Sequence, residues 1–208
     1  MGPDLSKRRS ERADGALCGG AHRVEYPPMA EARKPFEGFS RKVPEGDTHH
    51  RLVCDSCGFV AYENPKVVVG SVCRWEDRIL LCRRAIHPRL GFWTLPAGYL
   101  EQSEVTGDGA LREAWEEARA RIEIESVLAV YSIPRLSQVQ VIYRARLLSE
   151  EVAAGPESSE VGLFRWDQIP WPEIAFPSVR WALNHHREAE TSGSFHTRSN
   201  PPGEFGDY

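Results

Sequence analysis

The sequence predicts an α/β or α+β sandwich. Three observations carry that expectation: β-branched runs of strand length, two stretches of helix formers without internal proline, and no repeating βα alternation. Hydrophobic residues make up 41% and charged residues 27% of the 208. That balance suits a soluble globular chain and is too apolar for a wholly disordered one. The length fits one domain of about 150 residues with additions.

Residues 1–42 mix Gly, Pro, Ala, Arg and Glu without sustained periodicity and read as a flexible N-terminal extension, with Met29 inside it as an alternative start. Order is expected from the turn-like Val43-Pro44-Glu45-Gly46-Asp47, opening a small segment over 43–65. Lys66 to Trp75 reads as a buried strand, with Arg78 to Arg83 as its hairpin partner across Glu76-Asp77. Gly91 to Pro96 is a short extended run. A helix is expected over much of 105–119 despite Gly107 and Gly109, because the remainder is dominated by strong helix formers. Strands return at 121–132, 138–147 and 161–166, and a last helix starts after Pro177, which suits a first turn. The main domain is thus expected over 66–190, and the polar tail over 191–208 is expected to lie extended across it.

Several function classes drop out early. Lys and Arg number 26 against 30 Asp and Glu, a net charge of −4, which argues against a protein that coats polyanions, so no nucleic-acid partner is expected. No apolar run approaches the roughly 18 residues of a membrane span. The N-terminus has basic residues but no apolar stretch behind them, so secretion is not expected. Five cysteines, Cys18, Cys54, Cys57, Cys73 and Cys82, are too few and odd in number for a disulfide framework. A cytoplasmic location is the default expectation.

The chemistry lies in the acidic stretch over 98–120. It carries Glu101, Glu104, Asp108, Glu113, Glu116 and Glu117 against Arg112 and Arg119, a local excess equal to the net charge of the whole chain. On a helix, Glu113, Glu116 and Glu117 stand at i, i+3 and i+4, so three carboxylates share one face. Like charges at that spacing repel by tenths of a kcal/mol per pair and call for a cation. Hard oxygen ligands arranged this way suit Mg²⁺ or Mn²⁺, which keep several waters and share substrate phosphates. For an isolated Glu-x-x-Glu-Glu, a solvated acidic face is the commoner outcome. The wider spacing changes that.

Gly98, five residues, Glu104, seven residues and then Arg112-Glu113-Ala114-Trp115-Glu116-Glu117 resembles the signature of the Nudix hydrolases. One fixed position departs: Arg119 stands where the family usually has Gly, a place that shapes the helix exit and is not a ligand. Asn64 to Gly70, Leu81 to Arg84 and Gly91 to Glu101 are similar to the branch that carries a small zinc ribbon. Within it, Gly155 to Glu160 and the tail from Phe195 look most like the FAD and ADP-ribose pyrophosphatases of plants and their bacterial relatives. The resemblance implies a Nudix-type α/β/α sandwich with a mixed sheet, preceded by a degenerate zinc-ribbon-like β-hairpin.

What the resemblance implies for the site follows residue by residue. Glu113 and Glu117 bind divalent metal with Glu116 alongside, a backbone carbonyl at Ala97 or Gly98 completes the set, and Arg112 orients and balances the carboxylates. Glu104 supports loop and helix. A further acid, Glu157 first and Glu160 second, is ligand or base. Substrate contacts are looked for in Trp93, Tyr99 and Tyr131 as ring platforms, in Arg84 and Arg135 as phosphate holders, and in Gln138. The implied reaction cleaves FAD or ADP-ribose at the pyrophosphate. NADH or another dinucleotide is the alternative, although Tyr131 to Gln138 lacks the aromatic Ser-Gln-Pro-Trp-Pro-Phe-Pro stretch of the NADH-pyrophosphatase branch. A non-catalytic nucleotide sensor on the same fold is the rival class, disfavoured by the intact carboxylates. The partner is a small nucleotide, with a homodimer an expectation of the resemblance alone.

Cys54-x-x-Cys57-Gly58 reads as half a zinc ribbon. A structural zinc needs four ligands, and no cysteine lies between Cys18 and Cys54. Zinc at Cys54 and Cys57, to which His49 and His50 offer only adjacent nitrogens that point apart in an extended chain, therefore competes with a metal-free ribbon remnant.

Overall fold

A computed structural model describes residues 37–192 and 196–206. The chain divides into two compact units at residue 62, each taken by itself. Cys18 and Met29 lie outside the described residues.

The first unit contains a three-stranded antiparallel sheet, β1 (Phe39–Lys42), β2 (Arg51–Cys54) and β3 (Val60–Ala61), in that order. Two features differ from the sequence expectation. The ribbon is a three-stranded sheet rather than a hairpin, and β1 falls in the stretch assigned to the N-terminal extension. The reason is that Phe-Ser-Arg-Lys has no apolar alternation of its own; its strand exists because it pairs with β2, Phe39 opposite Cys54 through Lys42 opposite Arg51. Asp47 closes the turn between them, accepting from the Thr48 and His49 amides at 2.6 and 3.0 Å and from Arg51 Nε at 2.9 Å. These contacts, the arginine first, hold its carboxyl down at about 2.

In the second unit, β4 (Lys66–Trp75) organises a seven-stranded mixed sheet. Its β-branched run is buried from Val69 to Cys73 because both faces are covered. Along one edge it lies parallel to β9 (Gln138–Leu147), Lys66 opposite Gln138 through Arg74 opposite Arg146. Along the other it is shared. The last two residues, Arg74 and Trp75, pair with β5 (Arg78–Arg84), whereas Val68 to Gly70 pair with the short β7 (Ala97–Tyr99). The strands part between these pairings. β6 (Trp93–Thr94) and β10 (Ser158–Arg165) both join β5, and β8 (Ile122–Ile133) joins β9 at the far edge.

Two helices cover the sheet. α1 (Thr106–Ala118) packs Ala110, Ala114 and Ala118 against one face, with Val69, Cys73 and Leu80. α2 (Pro177–Ser192) packs Val179, Trp181, Ala182 and Leu183 against the other, with Val72, Leu81, Leu128 and Tyr131. The small residues of α1 let its backbone lie close to the sheet, which fixes the height of the acidic face. The helix ends at Arg119, whose φ of 51° is left-handed; its amide donates to Trp115 O at 2.9 Å and the Ala120 amide to Ala114 O at 3.1 Å. That is the conformation a glycine adopts without cost, so Arg119 makes a strained C-cap. No helix among the described residues is long and apolar enough to cross a membrane.

Of the tail, residues 196–206 are described, with Arg198 bridged to Ala129 of β8, and α2 continues as far as Ser192.

Candidate active site

Where β5 parts from β4 and β7 takes its place beside that strand, the acidic face of α1 looks into a cavity of about 800 Å³. Glu113, Glu116 and Glu117 all line it, as do Ala97, Gly98, Tyr99, Arg84, Gln138 and Glu157. Glu113 and Glu117 are buried; Glu116, one turn round, stands at the rim.

Arg112 ties the group together. Its guanidinium donates to both oxygens of Glu104, at 2.8 and 3.0 Å, to Glu113 Oε1 at 2.7 Å, to Glu116 Oε2 at 2.9 Å and to Tyr99 O at 3.0 Å. This arginine fork draws the Glu104 carboxyl down to about 2. Glu104 also accepts from the Glu101 amide at 3.0 Å, so it braces the loop that leads into α1. Among the described residues, no arginine is hydrogen-bonded to Glu117. Its Oε2 accepts from the Ala97 amide at 3.2 Å, yet burial outweighs that bond and pushes its carboxyl up to about 8. Burial raises Glu113 as well, against the pull of Arg112. Two buried carboxyls a helical turn apart, only one of them paired, are a site short of positive charge.

Gly98 makes room for this arrangement. A Cβ there would come within 2.4 Å of Glu113 Oε1, so only glycine lets the carboxylate lie against the β7 backbone. The same need for close approach appears at Gly155. Its amide donates to Glu117 O and that of Ala153 to Ala118 O, both at 2.9 Å, and a Cβ at Gly155 would sit 1.7 Å from Glu116 O. The loop after β9 is thereby fastened to the end of α1 and carries Glu157 into the cavity.

No three His, Cys, Asp or Glu side chains among the described residues form a ready cage for a metal ion. Mg²⁺ does not need one, since it is commonly held by one or two carboxylates, water and substrate phosphate. The all-oxygen donor set of Glu113, Glu116 and Glu117, only partly neutralised by the shared Arg112, fits such an ion.

Four sequence expectations fail. Glu160 is outside the cavity: on exposed β10 it accepts from Arg83 Nη1 at 3.3 Å, and a bulge between Ser158 and Glu160 sets it apart from Glu157. Trp93 is core, edge-to-face with Phe164 at 4.9 Å. Tyr131 is fully buried towards α2, its hydroxyl 2.8 Å from His185 Nδ1. Strand parity is the physical cause, because the inward residue of β8 at that level must fill the space beside Trp181. Arg135 lies on an exposed turn and does not reach the cavity; its neighbour Leu136 does. Tyr99 remains as a half-exposed aromatic, with Lys66 Nζ 5.2 Å from its ring centre and Gln138 Nε2 donating to its hydroxyl at 3.2 Å. Arg84 faces Glu117 from β5. Sequence reasoning missed an apolar group, Ile133, Leu136, Ile142, Phe176 and Val179, which also lines the cavity. These residues come from three separate segments and no local motif marks them.

The cysteine knuckle has two sulfurs and no completing ligands among the described residues. Gly58 donates to Cys54 O at 3.0 Å, and the Ser56 hydroxyl, 3.1 Å from Cys54 Sγ, leads the contacts that lower that thiol to about 7. Among the described residues, these two sulfurs do not make the four-ligand set of a structural zinc.

Comparison with known proteins matches residues 64–182 to the NUDIX domain model and residues 37–63 to the Nudix N-terminal model, a zinc-ribbon family. The chain belongs to the Nudix family. It is 29% identical over 119 residues to an ADP-ribose pyrophosphatase of Methanocaldococcus jannaschii, covering 55% of this chain and 69% of that one. A crystal structure of a Nudix hydrolase from Nitrosomonas europaea superposes with a TM-score of 0.73 at 44% identity, over 78% of this chain and 93% of that one. The NAD-capped RNA hydrolase NudC of Salmonella typhi is 27% identical over 59% of this chain, and the match spans 48% of that protein, about half its length. This protein is accordingly a Nudix hydrolase, of a family that acts on small nucleotide substrates and generally uses divalent metal ions.

Proposed function

We propose that this Nudix hydrolase cleaves the pyrophosphate of a nucleoside diphosphate linked to a second moiety, with ADP-ribose or FAD as substrate, to two monophosphates. The observation that carries the reading is the pair of buried carboxyls, Glu113 and Glu117, facing Arg84 across a cavity that also has an apolar side. Such a cavity suits a ligand with an anionic centre and a flat ring. The likeness to the Methanocaldococcus ADP-ribose pyrophosphatase supports the same substrate class.

A bound Mg²⁺ or Mn²⁺ supplies charge neutralisation at the phosphates and acidifies water. Glu113 and Glu117 would hold it, with Glu116 alongside and the backbone at Ala97 or Gly98 adjoining. Arg112 keeps Glu113 and Glu116 aligned, and Arg84 draws a phosphate oxygen. Water attacks one phosphorus, the bridging P–O bond breaks, and the proton passes to a carboxylate, for which Glu157 is placed on the cavity wall. Each phosphorus leaves in a monophosphate. NADH or another dinucleotide is the second reading, for which the likeness to an NAD-capped RNA hydrolase supports a nicotinamide dinucleotide moiety.

Incubation with Mg²⁺ or Mn²⁺ and a panel of ADP-ribose, FAD, NADH and nucleoside triphosphates tests the assignment. AMP with ribose 5-phosphate, or AMP with FMN, is the expected outcome. Nucleotide binding without hydrolysis of any member would overturn it in favour of a sensor.

A further inference from the structure

β8 is the edge of the large sheet, and residues 196–206 run beside it. Arg198 donates to Leu128 O and accepts from the Val130 amide, both at 2.9 Å. Asn200 then uses its side-chain amide where a backbone unit would pair. Its Oδ1 accepts from the Ser132 amide, and its Nδ2 donates to Ser132 O, each at 2.8 Å. Nδ2 also donates to Glu204 O at 3.0 Å, and the Glu204 carboxylate accepts from the indole N–H of Trp181. The strap is thus fixed to β8 and to α2, the elements that bring Ile133 and Val179 to the cavity.

Covering a sheet edge explains the pairing at Arg198. It does not explain the anchors that follow, which hold the chain where β8 is ending. A turn from Pro201 to Glu204 brings the backbone back, and Gly206 lies buried on Ile133. A Cβ at Gly206 would be 2.7 Å from Ile133 Cδ1, and the residue lines the cavity itself.

We infer that the end of this strap is a specificity element: Gly206, held in place by the turn over 201–204, completes the apolar wall, with Ile133, Leu136 and Val179, against which the flat ring of a nucleotide substrate rests. The inference rests on the nucleotide-hydrolase reading and deepens it. Phosphate is held from the α1 side, so the strap contributes to ring affinity and not to the chemical step.

The test uses binding as well as turnover. A protein ending at Glu204 retains the anchors at Arg198, Asn200 and Glu204 and loses Phe205 to Tyr208, Gly206 among them. Titration calorimetry with AMP and FMN should show about tenfold weaker binding of whichever ring occupies the wall, while inorganic pyrophosphate, which has no ring, binds both proteins equally. In turnover, KM rises by the same factor and kcat holds. Asn200→Ala, which unhooks the strap at full length, should reproduce the split. Unchanged nucleotide affinity would overturn the inference, as would a loss shared by pyrophosphate, or an intact protein that binds neither nucleotide. An intact protein that binds nucleotides but hydrolyses nothing would instead overturn the hydrolase reading, and the calorimetric comparison would still decide the strap.

Discussion

Ala97 on β7 donates its amide to the carboxylate of Glu117 on α1 at 3.2 Å, the only hydrogen bond recorded to that carboxyl among the described residues. It links the strand split to the acidic helix, and it is too little to keep the carboxyl in its ordinary range. Burial raises Glu117 to about 8, from 4.5.

The sign of the resulting pH dependence follows from linkage. In the unfolded chain Glu117 ionises near 4.5, whereas in the metal-free fold it stays protonated to about 8. Its contribution to stability is therefore complete below about pH 4.5 and is lost as pH rises towards 8. Glu117→Gln, with the charge removed, should match the parent at pH 4 and melt at a higher temperature at pH 8 in metal-free buffer, by a few kcal/mol at most. Turnover should fall at least about a hundredfold. Equal melting curves at both pH values would refute the buried-carboxyl account.

Glu157 and Glu160 are three residues apart and differ in surroundings. Glu157 lines the cavity, and Glu160 is tied to Arg83 on the exposed face of β10. Glu157→Gln should lower kcat by roughly ten- to a thousandfold. Glu160→Gln should leave it within about twofold, since exposed ion pairs contribute little. Steady-state kinetics on the two variants would reverse the assignment if Glu160→Gln were the damaging one.

Arg112 binds three carboxylates through a planar fork. Arg112→Ala should cost about 1–3 kcal/mol in urea unfolding. Arg112→Lys should recover only part of that and little of the activity, because a single ammonium cannot serve both Glu104 oxygens and Glu113 together.

Arg119 holds a left-handed C-cap at φ 51°. Its side chain donates to Trp115 O at 3.4 Å and lies 5.6 Å from the Trp115 ring centre, which offsets part of the strain. Arg119→Gly should raise stability by up to about 1 kcal/mol, with turnover unchanged. A lower melting temperature would mean that the Trp115 contact outweighs the backbone strain.

Metal analysis of the purified protein should find zinc well below one equivalent. Stoichiometric zinc lost on Cys54→Ser would overturn the metal-free reading of the knuckle.

Much of this molecule is legible before folding. The run from Lys66 to Trp75 is β-branched and has nowhere to go but a covered strand, and Glu113, Glu116 and Glu117 share a helix face by spacing alone. β1 was not legible, because Phe39-Ser40-Arg41-Lys42 takes its conformation from a partner strand whose paired residues, Arg51 to Cys54, lie outside any local pattern of its own. Nor was the facing of Trp93 and Tyr131: an aromatic side chain reads alike as core or platform until strand register decides which side it occupies.

By itself, the sequence determined the acidic helix, its arginine clasp and the glycine before it, because helical periodicity and short-range spacing are local properties of the chain. Only the tertiary structure decided that Glu157 and not Glu160 enters the cavity, since a bulge and the fastening of Gly155 to the end of α1 set that choice. It alone brought Ile133, Val179 and Gly206 to one wall, where residues distant in sequence meet because β8, α2 and the tail are hydrogen-bonded or packed together.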